Sequence, residues 1–252
     1  MNTEISVNVT RAGWVVNHLI DTINENRQYL SEVDGAIGDG DHGINMSKGF
    51  TQCGVRLAER GESTSLSVAF DDLSSVLMEG IGGSMGPLYG SFFFAIGEIL
   101  EGHDALDKEL FFKALNAGIE AVQAIGDAQV GDKTLVDTLI PARDAYKNAL
   151  FQNMSFKDCL SDMIEGAESG MHSTRALRAR IGRAARLGDR SIGVLDAGAC
   201  SCFLILRSIG HSLMQLVDSS SNLSYRSGTN KVRTGSPHPN PLPEGEGENG
   251  AR

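Results

Sequence analysis

The chain has 252 residues, 41% of them hydrophobic, which is enough for one large domain or two small ones around a sizeable core. Its formal net charge is −10, and a surface of that sign repels nucleic-acid phosphates and anionic lipid, which argues against nucleic acid and membrane as partners. A phosphate ligand would therefore have to be held by local devices: metal ions, backbone N–H groups and a few well-placed cations.

In chain order the apolar periodicity is helical. Trp14, Val15, Leu19, Ile20 and Ile23 share one face of a helix expected over about Thr10 to Val33. Further helices are expected over Ile44 to Arg60, Ser63 to Met78, Pro87 to Leu100, Lys108 to Ile125, Lys133 to Leu150, Phe156 to Met171 and Ala199 to Val217, eight in all. Pro87 suits a first turn. No run of strict period-two alternation stands out, so the fold expected is all-α, with mostly short links that make neighbours antiparallel. Two links are unusual. Asp34 to Gly43 is rich in Gly and Asp, and the stretch from about Thr174 to Gly198 is long and carries many arginines.

Cys53, Cys159, Cys200 and Cys202 are scattered without a C-x-x-C pair, which suits a reducing cytoplasm and argues against a zinc site or disulfide scaffold. Met1 to Thr10 shows no apolar signal-peptide core, and the apolar stretch Leu88 to Leu100 is too short and mixed to span a bilayer. After about Asp218 the composition changes: Ser219 to Ser221 is a serine run, and Pro237, Pro239, Pro241 and Pro243 are four of the six prolines. Residues 1–218 are thus expected to be the folded domain and 219–252 a disordered tail resembling a translated intergenic repeat.

The strongest chemical signal is D-G-A-I-G-D-G-D-H-G over 34–43, set between two helices. Asp34, Asp39 and Asp41 put three hard carboxylates within eight residues on a loop that its glycines let turn sharply. The spacing lacks D-x-D-x-D-G and a closing glutamate, so it is not an EF-hand; few protein ligands favour Mg²⁺ with phosphate oxygens completing its shell. A solvated Asp-Gly turn is the plain alternative. His42 and Asn45 lie at the start of the next helix, where free N–H groups can face a phosphate.

Three weaker signals follow. G-G-S-M-G-P-L-Y-G over 82–90 reads either as an anion cradle ahead of a helix or as close helix packing; it is not a Walker A loop. In G-D-K-T over 131–134, Asp132 or Thr134 can cap a helix, and Lys133 can meet a phosphate. Arg178, Arg180, Arg183, Arg186 and Arg190 concentrate cations in an acidic chain, either as a solvated loop or to neutralise a transferring phosphoryl group.

Taken in order, D-G-A-I-G-D-G-D-H-G (34–43), G-G-S-M-G-P-L-Y-G (82–90), G-D-K-T-L-V-D-T-L-I-P-A (131–142) and G-R-A-A-R-L-G-D-R-S-I-G-V-L-D-A-G-A (182–199) resemble the nucleotide-binding L subunits of dihydroxyacetone kinase, the DhaL or DAK2 family, from about Trp14 to Ser208. The resemblance implies a barrel of eight antiparallel helices and two Mg²⁺ ions held by Asp34, Asp39 and Asp41 on the phosphates of ADP or ATP. It implies nucleotide contacts from His42, Gly43, Ile44 and Asn45, from Ser84, Met85, Gly126 and Leu135, and from Arg183, Asp196, Ala197 and Gly198, with Arg183 also neutralising charge in phosphoryl transfer. It further implies a separate K subunit that carries the ketose. The donor is either free ATP or a phosphotransferase-system protein, DhaM, that recharges a resident ADP. Alternatives within the resemblance are a kinase for a tetrulose or other polyol and a regulatory nucleotide-binder that switches a transcription factor. Met85, Ile181 and Ala197 depart from residues usual in the family, a small residue, a lysine and the proline of D-P-G.

Overall fold

The computed structural model describes residues 6–229. Among these the chain forms nine α-helices: α1 Trp14–Glu25, α2 Arg27–Gly35, α3 His42–Arg60, α4 Leu66–Gly80, α5 Met85–Leu100, α6 Lys108–Ile125, α7 Val136–Phe151, α8 Phe156–Ser173 and α9 Ala197–Thr229. Two short strands, β1 Val7–Asn8 and β2 Ala105–Leu106, pair antiparallel with Val7 opposite Leu106.

The single helix expected over about Thr10 to Val33 is two helices. Asn26 breaks it: the side chain donates to the Thr22 carbonyl at 2.8 Å, the same oxygen its own backbone N–H uses at 3.3 Å. An asparagine that offers the backbone such a local partner favours a helix end over a helix interior. α9 also runs further than the expected end at Val217; residues 230–252, which hold most of the expected tail, lie outside the described residues.

Eight of the helices close a ring. Each packs on the next in the order α1, α3, α4, α5, α6, α7, α8, α9, and α9 packs back on α1; α2 lies across one end against α3 and α9. The amphipathic stripes turn inward, as in α1, which buries Val15, Val16, Leu19, Ile20 and Ile23. Inside the ring Phe70 and Phe93 stack with centroids 5.6 Å apart, and Phe50 meets Phe93 edge-on at 6.2 Å, joining α3, α4 and α5. α9 is apolar and long enough to cross a membrane by length and composition, a stretch whose apolar character the sequence reading did not single out; 72% of that window is buried in the protein, so it serves as a wall of the core.

An up-and-down ring has a consequence for function. Alternate helices begin at the same end, so α3, α5, α7 and α9 all start there, together with the loops that leave α2, α4, α6 and α8. The opposite end carries the β1–β2 pair and the starts of α4, α6 and α8.

Candidate functional site

The end where α3, α5, α7 and α9 begin holds a cavity of about 560 Å³. Its acidic corner is the loop between α2 and α3. Gly40 sits at φ 77°, a left-handed turn that a glycine adopts without strain, and this folds Asp39 and Asp41 back toward Asp34. Carboxylate oxygens of Asp34, Asp39 and Asp41 all lie within 4.8 Å of one another. Three such oxygens repel one another unless a cation stands among them. Arg183 reaches in from the α8–α9 loop, pairing with Asp39 and standing 3.9 Å from Asp41. Hard oxygen donors in a group this tight fit Mg²⁺, which needs only one or two carboxylates and accepts phosphate oxygens for the rest.

His42 follows at once as the first residue of α3. It is buried, its Nε2 lies 2.9 Å from the hydroxyl of Ser201 on α9, and that hydroxyl lies 2.6 Å from the phenol of Tyr89 on α5. Burial pushes the His42 pKa down to about 4, against a smaller upward pull from Asp34, so the ring is neutral at pH 7. The His42–Ser201–Tyr89 chain ties three helix starts together and fixes the floor of the cavity.

Asp196 closes the opposite side. Its carboxylate accepts from the N–H of Ala199 at 2.8 Å, capping α9. Burial pushes its pKa up to about 6, with the Ala199 hydrogen bond and the Lys133 charge pulling the other way. Ala197 is the first residue of α9, a position where proline is readily accommodated, which gives the D-A-G departure a structural place.

Of the residues singled out for the nucleotide, His42, Asn45, Ser84, Met85, Gly126, Leu135, Arg183, Asp196, Ala197 and Gly198 line the cavity, together with Asp34, Asp39 and Asp41. Gly43 and Ile44 do not. Gly43 faces α2, where a Cβ would stand 2.0 Å from the Arg27 carbonyl oxygen, and the Ile44 side chain is 48% exposed. Their places follow from the helical turn: next to His42 in sequence, they fall on other faces of α3.

The G-D-K-T segment divides between its two readings. The Lys133 ammonium is turned to backbone carbonyls, Thr174 at 2.5 Å and Val194, and so does not point at a phosphate. Thr134 does serve the start of α7, accepting from Val136 N–H at 3.2 Å, whereas the Asp132 carboxylate accepts from Gln129 and faces Arg180 at 3.5 Å. The turn itself is held by Asp137, which accepts from Gly131 and Thr134 N–H at 2.6 and 2.7 Å. Tyr89 and Asp137 lie within the quoted motifs yet carry no sequence mark of their role. Leu88, Val122 and Ile125, which join Leu135 in an apolar wall, were equally unmarked, because they come from segments far apart in the chain.

A ring of alternating helices whose starts surround a group of carboxylates and an exposed arginine is suited to an anionic ligand carried with a divalent cation. The chain belongs to the DAK2 domain family, whose match spans residues 36–211. It is similar to the ADP-binding subunit DhaL of PEP-dependent dihydroxyacetone kinase 1 from Listeria innocua, 36% identical over 80% of this chain and 95% of that one. It is also similar to the ADP-binding subunit DhaL of the PTS-dependent dihydroxyacetone kinase of Lactococcus lactis, 38% identical over 75% of this chain and 90% of that one. Among solved structures it is similar to the dihydroxyacetone kinase of C. freundii in complex with AMP-PNP and Mg²⁺, with a TM-score of 0.61 and 25% identity over 83% of this chain; it spans only 35% of that kinase.

Proposed function

We propose that this chain is the nucleotide-carrying subunit of a dihydroxyacetone-type kinase: it binds ADP or ATP with magnesium and presents the phosphoryl group to a small ketose held on a separate K subunit in the cytoplasm. The observation that carries this reading is the meeting of three carboxylates within 4.8 Å and the starts of α3, α5, α7 and α9 at one cavity. The family match and the DhaL relatives, which this chain covers almost end to end, support it.

Asp34, Asp39 and Asp41 would hold the magnesium, two ions in this reading. Bound magnesium supplies positive charge to the phosphate oxygens and draws electron density from the transferring group. The chain's own residues bind and orient. The start of α5 and the Asn45 side chain on α3 would face the phosphates, and the Ser84 hydroxyl would add a donor beside them. Leu88, Val122, Ile125 and Leu135, with Met85, offer an apolar face to the base. Arg183, 63% exposed at its side chain, is free to exchange Asp39 for the phosphoryl group and neutralise charge as it transfers. No residue of the cavity is needed as a general base, since positioning and electrostatics supply most of the catalysis in phosphoryl transfer. The ketose, and with it the choice between dihydroxyacetone and a tetrulose or other polyol, belongs to the K subunit. The donor is ATP or a phosphotransferase-system protein of the DhaM kind.

Calorimetric titration of ADP, with and without Mg²⁺, tests this. Wild-type protein is expected to bind only with Mg²⁺. Asp39→Ala is expected to lose about a hundredfold or more in affinity, since even residues that only support metal ligands contribute about 10–100-fold. A folded wild-type protein that ignores ADP, or an Asp39→Ala variant that binds normally, overturns the assignment.

A further inference from the structure

Lys133 combines three features that the chemistry above does not use. It is 2% exposed. Its backbone sits at φ 62°, a left-handed conformation that is costly for a residue with a side chain and persists only where the surroundings over-determine it. Its ammonium donates to the carbonyl oxygens of Thr174, at 2.5 Å, and Val194.

Those two carbonyls belong to the two stems of the arginine-bearing loop. Thr174 directly follows α8, and Val194 comes just ahead of α9. The stems also meet each other: Gly193 N–H donates to the Arg175 carbonyl at 2.8 Å and Asp196 N–H to the Thr174 hydroxyl at 3.1 Å. Between the stems the loop is built of 3-10 turns interrupted at Gly188 and held by a few polar links, such as Ala179 N–H to the Ser191 hydroxyl at 2.9 Å and Arg178 to Asp189 at 3.3 Å. Its tip places Ile181, Gly182, Arg183 and Ala184 on the cavity. A loop with so little apolar burial does not order itself from within. Burial lowers the Lys133 pKa, while Asp196 and Asp137 oppose the shift and favour the charged form.

We infer that Lys133 is a positioning residue, a clasp that draws both stems of the 174–196 loop onto the start of α7 so that the tip is held over the cavity as a pre-organised lid. One ammonium bonded to both stems fixes their separation, and a loop ordered beforehand loses less entropy when it closes on a ligand. The left-handed backbone is what directs the side chain: Gly131, Asp132 and Lys133 form the tight turn that Asp137 holds, and that turn sends the lysine into the protein beneath the loop. That the lid serves a nucleotide rests on the function proposed above; the clasp itself does not.

Trypsin reads the lid directly, because Arg175, Arg178, Arg180, Arg183, Arg186 and Arg190 all lie between the stems. In ligand-free Lys133→Met, which removes the ammonium and keeps the length, cleavage at these arginines is expected to rise about tenfold, the weight of one charge-assisted hydrogen bond. Cleavage at Arg56 and Arg60 on α3 is expected to stay at the wild-type rate. The dissociation constant for ADP with Mg²⁺ is expected to rise about tenfold as well. Thr174→Val removes the Asp196 link without disturbing a buried charge, and a smaller rise confined to the same arginines keeps the proposal testable if Lys133→Met does not fold. Unchanged loop cleavage in both variants overturns the clasp. So does a uniform rise across the chain with a lowered melting temperature, which would make Lys133 a core residue only. If wild-type protein does not bind ADP, the nucleotide reading falls, and the cleavage measurement still decides the clasp.

Discussion

At the end of the barrel away from the cavity, α4, α6 and α8 each start on a side chain that accepts a first-turn N–H: Ser65 from Val68 at 3.3 Å, Asp107 from Leu110 at 2.7 Å and Ser155 from Asp158 at 3.2 Å. At the cavity end, α3 and α5 start on residues of the same chemical kind, Asp41 and Ser84, and neither side chain caps its helix. The partial substitutes there are distant or borrowed, Asp34 to His42 N–H at 3.4 Å and Thr134 to Val136 N–H at 3.2 Å; only α9 has a full cap, from Asp196. α1, which starts at the far end on Gly13, also lacks a side-chain cap, so the contrast holds for α4, α6 and α8 against α3 and α5. A cap is worth about 1 kcal/mol, and forgoing it at two adjacent helix starts leaves donors and oxygens free for a ligand. One end is finished for stability, the other left open for binding.

The largest way to break this contrast is to move the open end bodily. At Gly43 an added Cβ would meet the Arg27 carbonyl, which is backbone and cannot swing aside. Gly43→Ala is expected to cost about 3 kcal/mol in urea unfolding, the upper range of overpacking, and to weaken ADP binding because α2 and α3 together set the spacing of Asp34 and Asp41. A loss below about 0.5 kcal/mol, the scale of surface substitutions, would show that α2 does not rest on α3 as described.

Next in size is an effect of pH on metal- and nucleotide-free protein. Asp196 holds its proton up to about pH 6 in the folded state, against 3.8 as its ordinary value. Between those values the folded state binds more protons than the unfolded one, so this group's contribution to stability falls as pH rises from about 4 to about 6. His42, lowered from 6.5 to about 4, has the opposite sign: its contribution is present above 6.5 and is lost as pH falls toward 4. The two offset each other in the wild type. Asp196→Asn is expected to unmask a stability that climbs by about 2 kcal/mol from pH 4 to 6.5, read from urea midpoints across that range. A flat profile in the variant would mean that burial does not depress His42, and a wild type that climbs as steeply as the variant would mean that Asp196 is not burdened by its surroundings.

Much of the barrel can be read from sequence because its signal is local. Lys108 to Ile125 carries its apolar residues at helical spacing and starts on Asp107, and both ends of α6 are as expected. Asn26 escaped notice because a polar residue on a helix surface and a polar residue that breaks the helix look alike until Thr22 is seen as its partner. At the site, Asp34, Asp39 and Asp41 are legible since one short loop brings them together. Arg183 at Asp39 is a contact across 144 positions, and Lys133 beneath the 174–196 loop spans 41 and 61, so no spacing rule points to either pairing. Gly43 shows the converse: a motif glycine invites a ligand role, and only the packed structure reveals a further reason for glycine there, the close approach of α2.

The smallest effects test the contrast most directly, because they compare one kind of substitution at the two ends. Asp107→Ala removes a working cap and is expected to cost about 1 kcal/mol of stability with the ADP dissociation constant unchanged. Ser84→Ala removes a side chain that caps nothing; it is expected to leave stability within about 0.5 kcal/mol and to weaken ADP binding about fivefold, the scale of one hydrogen bond. Urea unfolding and calorimetry on the same preparations measure both quantities. The pattern requires the two variants to fail in different assays. If Ser84→Ala loses stability like Asp107→Ala, its hydroxyl is a cap after all, and the start of α5 was never left open. If it keeps both stability and affinity, the α5 start is open but unused, and the phosphates must be held by the α3 side of the cavity alone.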